Sequence, residues 1–172
     1  MLENRILTQL HPDQNSPIVI YTAMYEAILQ LGPLFREKVV FKNQWSTSSY
    51  YRKFRENVLT KKEKVNLIEI WGELLKDYEQ QFKYVLLPVT GRLPDKTFQL
   101  CGLNQMLHDL PPIYILSISE RLKWTMDKAV RRNIRKKPIK DKEMKAVREI
   151  FSQLFVDMQI LYKTIKENTI NP

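Results

Sequence analysis

The sequence predicts a mainly α protein, a helical bundle, and three observations carry that expectation. Four glycines in 172 residues are too few for the many tight turns of an all-β chain. Apolar residues recur at three- and four-residue steps through the middle and the C-terminal third, the period of a helix with one buried face. Thr60-Lys-Lys-Glu63 has the form of a capping box, in which the threonine hydroxyl and the glutamate carboxylate each bond the other residue's backbone amide.

Taken in order, residues 1–17 form an N-terminal segment that passes through the turn-rich His-Pro-Asp-Gln-Asn-Ser-Pro. Ile18 to Leu31 reads as a first helix, stopped by Gly32-Pro33. Leu34 to Phe41 reads as a short second one, and a third runs from the N-cap Ser46 to about Arg55. After Thr60 a long helix extends to about Tyr84 through Val65, Ile68, Trp71, Leu75, Tyr78 and Phe82, closing a helical module over 18–84. Residues 85–112 read as a connection, with room for a short extended piece or hairpin and a short helix over Asp95–Leu107 ended by Pro111-Pro112. Residues 113–172 read as a long helical hairpin that shares a core with the first module or stands apart from it. Its first arm runs from Ile113 to Arg135; Asp141 caps the second, which reaches about Glu167.

The second arm carries Met144, Val147, Phe151, Leu154, Met158, Leu161 and Ile165 at heptad steps. Phe155, Tyr162 and Ile150 widen this stripe beyond a dimer seam. A bundle core is therefore favoured over a coiled-coil homodimer.

The formal charge of +9 is uneven. Residues 34–62 carry eight Lys/Arg against two acids, and residues 128–140 carry seven against none, which leaves the remainder at −4. Two basic islands on a slightly acidic body point to a polyanionic partner. The lone Cys101 excludes an internal disulfide framework and fits a reducing compartment. No run approaches the ~18–20 consecutive apolar residues of a transmembrane span, so the expectation is a cytoplasmic protein without a membrane partner.

The first island reads as an interface. Ser46, Thr47, Ser48 and Ser49 have the size to bond base edges and phosphates, and Tyr50 can stack or bond a phosphate. Lys42, Arg52, Lys53, Arg55, Lys61 and Lys62 supply cations, while Tyr51 and Phe54 are expected to turn inward with Trp45. Through WSTSSYYRKF preceded by FREKVVFKN, residues 34–62 resemble helix-turn-helix DNA-binding domains at the superfamily level. That resemblance implies a helix-turn-helix-like unit whose second helix enters the major groove. Lys42-Asn43-Gln44 stands where such turns often hold a glycine, and Asn43 is the residue expected to take the left-handed conformation.

The second island follows helical spacing from Arg121 through Lys128, Arg131, Arg132 and Arg135, and continues into Lys136, Lys137 and Lys140. Such a stripe can track a phosphate backbone. Catalytic patterns are sparse. Two histidines and one cysteine cannot build a zinc site from Cys and His alone. Cys101 and His108 stand seven residues apart, roughly 10 Å along a helix and beyond hydrogen-bond reach. No phosphate-binding glycine loop or nucleophile elbow occurs. The expectation is a non-enzymatic DNA-binding protein without cofactor, a regulator or accessory factor. The alternative is a helical module that docks an acidic protein partner or an RNA.

Overall fold

The computed structural model describes residues 9–95, 97–135 and 138–170, with residues 132–135 as backbone only. Among these residues it holds six α-helices, one short 3-10 turn and no strand. The helices are α1 (Pro17–Asn43), α2 (Thr47–Glu56), α3 (Lys61–Gln81), α4 (Leu103–Leu122), α5 (Met126–Arg135) and α6 (Asp141–Ile170), with the 3-10 turn at Leu100–Gly102. The centre is formed by α1, α3, α4 and α6: α1 packs on α3 and α4, and α6 packs on both of them. One apolar core runs through all of these helices, so the mainly α bundle expected from the sequence is what forms.

Two expected breaks are absent. Gly32-Pro33 does not stop the first helix, which continues for 27 residues as α1. Pro33 removes one intrahelical bond at a cost of about 3 kcal/mol. Stopping there would displace Phe35 and Val39, both fully buried on the stripe of Met24, Ile28 and Leu31. At roughly 1.5–3 kcal/mol per buried side chain, burial wins. The same contest decides α4, which passes through Pro111 and Pro112 instead of ending at them. Leu107, Leu110, Tyr114, Ile115 and Ile118 hold its buried face. The two interruptions meet, for a Cβ built on Gly32 would stand 3.5 Å from the Leu107 carbonyl oxygen, the acceptor that Pro111 has no N–H to reach.

The C-terminal hairpin also differs from expectation. Its first arm is broken after Leu122, where Lys123 takes a left-handed conformation. Then α5 swings onto α4 and α1, and Tyr21 on α1 donates from its hydroxyl to the Ala129 carbonyl. Helix α6 packs on α4 and α3 and not on a continuous first arm. Asp141 lies in the first turn of α6 rather than capping it. The Lys140 amide instead bonds the Glu143 carboxylate at 3.0 Å. Phe151, Phe155, Met158 and Ile165 of α6 are buried in the bundle.

Three corners share one construction. Gln44, Asn57 and Lys123 each have positive φ, and the amide of the next residue reaches back five positions: Trp45 to Val40, Val58 to Lys53, Trp124 to Ser119. This is the Schellman closure, with an apolar residue following the left-handed one. None of the three is glycine. Gln44→Gly is therefore expected to stabilise the fold by about 0.5–1 kcal/mol, the left-handed penalty less the extra chain entropy of glycine. A rise of roughly 1–4 °C in Tm would register it, and a lower Tm would refute it.

Between α3 and the 3-10 turn, a non-helical strap lies along α6. Arg148 donates to the carbonyls of Tyr84 and Val85, the Ser152 hydroxyl accepts from the Leu87 amide, and Gln153 donates to the Thr90 carbonyl. Asp157 accepts from the Arg92 amide at 2.7 Å. The strap's backbone groups thus find partners on a helix instead of in a hairpin, as buried polar groups require. By length and composition α1 is apolar enough to cross a membrane, yet its apolar stripe is a core face of the bundle.

Candidate nucleic-acid interface

Helix α2 is built as a short cantilever on the C-terminal end of α1. Three residues, Gln44-Trp45-Ser46, join the two helices. The turn expected from the sequence is present, with Gln44 and not Asn43 as its left-handed residue. Asn43 remains helical and uses its side chain to bond the Val39 carbonyl and Asn66. Ser46 caps α2 by accepting from the Ser49 amide at 3.1 Å, and its hydroxyl also meets that of Ser49. Thr60 and Glu63 form both bonds of the capping box and fix the start of α3.

The rotation of α2 about its axis decides which side chains face outward. Tyr50 and Phe54, four residues apart, form the inward stripe. Phe54 packs edge-on to Phe35 of α1, and the Tyr50 hydroxyl bonds Asn104 at the start of α4. Tyr50 is fully buried, so its expected contact with nucleic acid is not available; burial also drives its phenol well above the usual range. Tyr51, expected to face inward, is exposed and accepts from Arg36 at 2.7 Å. The outward face consists of Thr47, Ser48, Tyr51, Arg52 and Arg55, positions that recur on one side of a helix.

Several cations of the first island have local partners. Lys42 pairs with Glu69 at 2.7 Å. Lys53 pairs with Glu63 at 2.9 Å and lies 5.1 Å from the centre of the Trp45 ring, with only 17% of its side chain exposed. It is a strut between α2 and α3 and not a free contact. For the Glu63 carboxyl, burial acts to raise the pKa, but hydrogen bonds from Lys53 and Thr60 together with the Lys53 charge hold it below the usual range. Arg52 and Arg55 share Glu56 at 3.9 and 3.4 Å. Those pairs are solvent-exposed and worth ~1 kcal/mol or less, so a polyanion can displace them. Lys61 and Lys62 are exposed at the start of α3.

The second island is less continuous than its spacing suggested. Arg121 ends α4 and pairs with Glu149, so the turn at Lys123 separates it from α5. On α5, Lys128 stacks over Trp124 and Arg131 pairs with Asp127. Lys140 is exposed before α6. Arg132 and Arg135 belong to α5 by backbone; their side chains, and Lys136 and Lys137, lie outside the described residues. The islands occupy opposite ends of α1, because α5 meets it at Tyr21 and α2 meets it at Phe35. Fourteen residues of helix separate those contacts by about 21 Å. They are two patches, not one.

The remaining chemistry-bearing residues are dispersed. His108 lies within α4 beside Asp109. The Cys101 thiol approaches Gln99. Among the described residues no group of three or more His, Cys, Asp or Glu is placed to hold a metal. No family model, curated protein or solved structure matches this chain.

Proposed function

We propose that the chain is a non-enzymatic DNA-binding protein, a regulator or accessory factor, that presents α2 to the duplex. The supporting observation is the corner itself: a tight Gln44-Trp45-Ser46 turn holds a ten-residue helix whose outward face starts in hydroxyls and ends in arginines. Thr47 and Ser48 are the base-edge and phosphate contacts, and Arg52 and Arg55 neutralise flanking phosphates. Lys61 and Lys62 extend the phosphate track. Lys128, Arg131 and the rest of the second island serve a separate stretch of backbone, about two-thirds of a duplex turn away.

The test is fluorescence anisotropy with duplex DNA at two salt concentrations. Arg52→Ala/Arg55→Ala is expected to weaken binding by roughly tenfold at low salt and to reduce the salt slope by about 2. Unchanged affinity and slope would rule out α2 as the contact. The second reading is an interaction module for an acidic protein or RNA. It draws on the pairing of Lys42 and Lys53 with Glu69 and Glu63, which lowers the net charge of the first patch. Under that reading duplex binding is weak and indifferent to Thr47→Ala/Ser48→Ala.

A further inference from the structure

Behind α2, on the side away from its arginines, the first turn of α3, the segment leading into the 3-10 turn and the last turn of α6 line a solvent-open cavity of about 590 Å³. That volume lies within the range of small-molecule sites, roughly 300–1,000 Å³. Its lining is chemically divided. Lys61 and Lys64 contribute two cations, and no Asp or Glu is among the lining residues. Neither lysine has an ion-pair partner among the described residues, unlike Lys53 next to them. Phe98, Leu100 and Ile165 supply an aromatic and aliphatic wall. Asn57, Gln99 and Asn168 add side-chain amides that can both donate and accept.

These features select a ligand class. Two unpaired lysines without a carboxylate call for a multiply charged anion, which a phosphate supplies. Both stand in the first turn of α3, where the Glu63 carboxylate is already engaged by the Thr60 amide and Lys53. An aromatic wall calls for a flat, partly apolar group. The amides suit the mixed donor and acceptor edge of a base and the hydroxyls of a sugar. We infer that this cavity is a binding site for a nucleoside phosphate, with the phosphates at Lys61 and Lys64 and the base against Phe98. None of its residues is on the outward face of α2; Lys61 alone is shared with the phosphate track proposed for DNA, and the inference stands whether or not that track binds DNA.

Isothermal titration of the full chain at low salt with ADP, AMP, adenosine and inorganic phosphate tests it. ADP is expected to bind with a Kd on the order of 10–100 µM, a modest affinity for a solvent-open site. AMP should bind several-fold more weakly, and adenosine and phosphate at least tenfold more weakly. Lys61→Gln/Lys64→Gln, checked for an unchanged melting profile, should lower ADP affinity at least tenfold. Phe98→Leu should weaken ADP while leaving phosphate unchanged. Arg52→Ala/Arg55→Ala should leave ADP binding intact, which separates this site from the α2 face. No ADP binding at millimolar concentration, or binding indifferent to the lysine pair, would overturn the assignment. Phosphate binding as tightly as ADP would overturn the nucleoside class.

Discussion

Phe151→Ala is expected to lower unfolding free energy by about 3–5 kcal/mol, the cost of deleting a buried aromatic ring. The ring is 1% exposed on α6. It lies 4.8 Å from the Phe82 ring, where the strap begins, and 6.3 Å from the Tyr114 ring on α4. Three segments distant in sequence meet on it, so removal leaves a cavity that none of them can close alone. A leucine would restore part of the volume; Phe151→Leu should cost less than half as much. Urea unfolding followed by circular dichroism reads both, and for a chain of this size the alanine variant should melt roughly 10 °C lower or more. A loss under 1 kcal/mol would mean that the ring is not at the junction of α4, α6 and the strap.

Glu63→Ala is expected to cost about 2–3 kcal/mol, more than a cap alone and less than a fully buried pair. A cap contributes ~1 kcal/mol, and breaking a buried pair costs about 3–5 kcal/mol. Glu63 serves as both, since one carboxylate bonds the Thr60 amide and holds Lys53, with 15% of the side chain exposed. Thr60→Ala removes half of the box and should cost about 1 kcal/mol. Lys53→Met in the Glu63→Ala background should recover part of the loss, because it removes the stranded ammonium. A simple sum of the two single effects would refute that coupling.

The same carboxylate sets an acid dependence. Its folded pKa lies below the ordinary glutamate value, so its contribution is complete above the unfolded pKa of about 4.3. It is lost as pH falls through the folded value. The gap in stability between the native chain and Glu63→Gln should therefore narrow below about pH 4 and be constant above pH 6. A gap that widened with acid would reverse the assigned sign.

Much of this fold is legible in the sequence where the signal is local. The Ser46 cap, the Thr60 box and the heptad-like stripe of α6 depend on residues within a few positions of one another. The expected elements they opened or filled are present: α2, α3 and α6. The corner signal is also local, and the turn expected at Lys42-Asn43-Gln44 is one of three such corners, its left-handed residue one position later than expected. A polar residue followed by an apolar one, at Gln44-Trp45, Asn57-Val58 and Lys123-Trp124, closes three helices without glycine. Gly32-Pro33 and Pro111-Pro112 lie inside helices instead of ending them, and the break at Lys123 carries neither residue.

The candidate interface divides along the same line. Sequence placed hydroxyls and base on one short helix, but the phase of that helix depends on Phe35 and Asn104, which lie on other elements. Tyr50 and Tyr51 therefore exchange their expected roles. The cavity over Lys61, Lys64 and Phe98 had no sequence signal, because its walls come from three distant stretches of chain.

By itself the sequence determined an α-helical chain, the caps at Ser46 and Thr60 and two basic islands, all consequences of short-range periodicity and composition. Tertiary structure decided which prolines a helix survives, which lysines pair with Glu63 and Glu69, and that the islands meet α1 toward opposite ends. The reason is energetic. A proline or an ion pair shifts stability by a few kcal/mol locally, and the outcome belongs to the buried stripe that the rest of the molecule supplies.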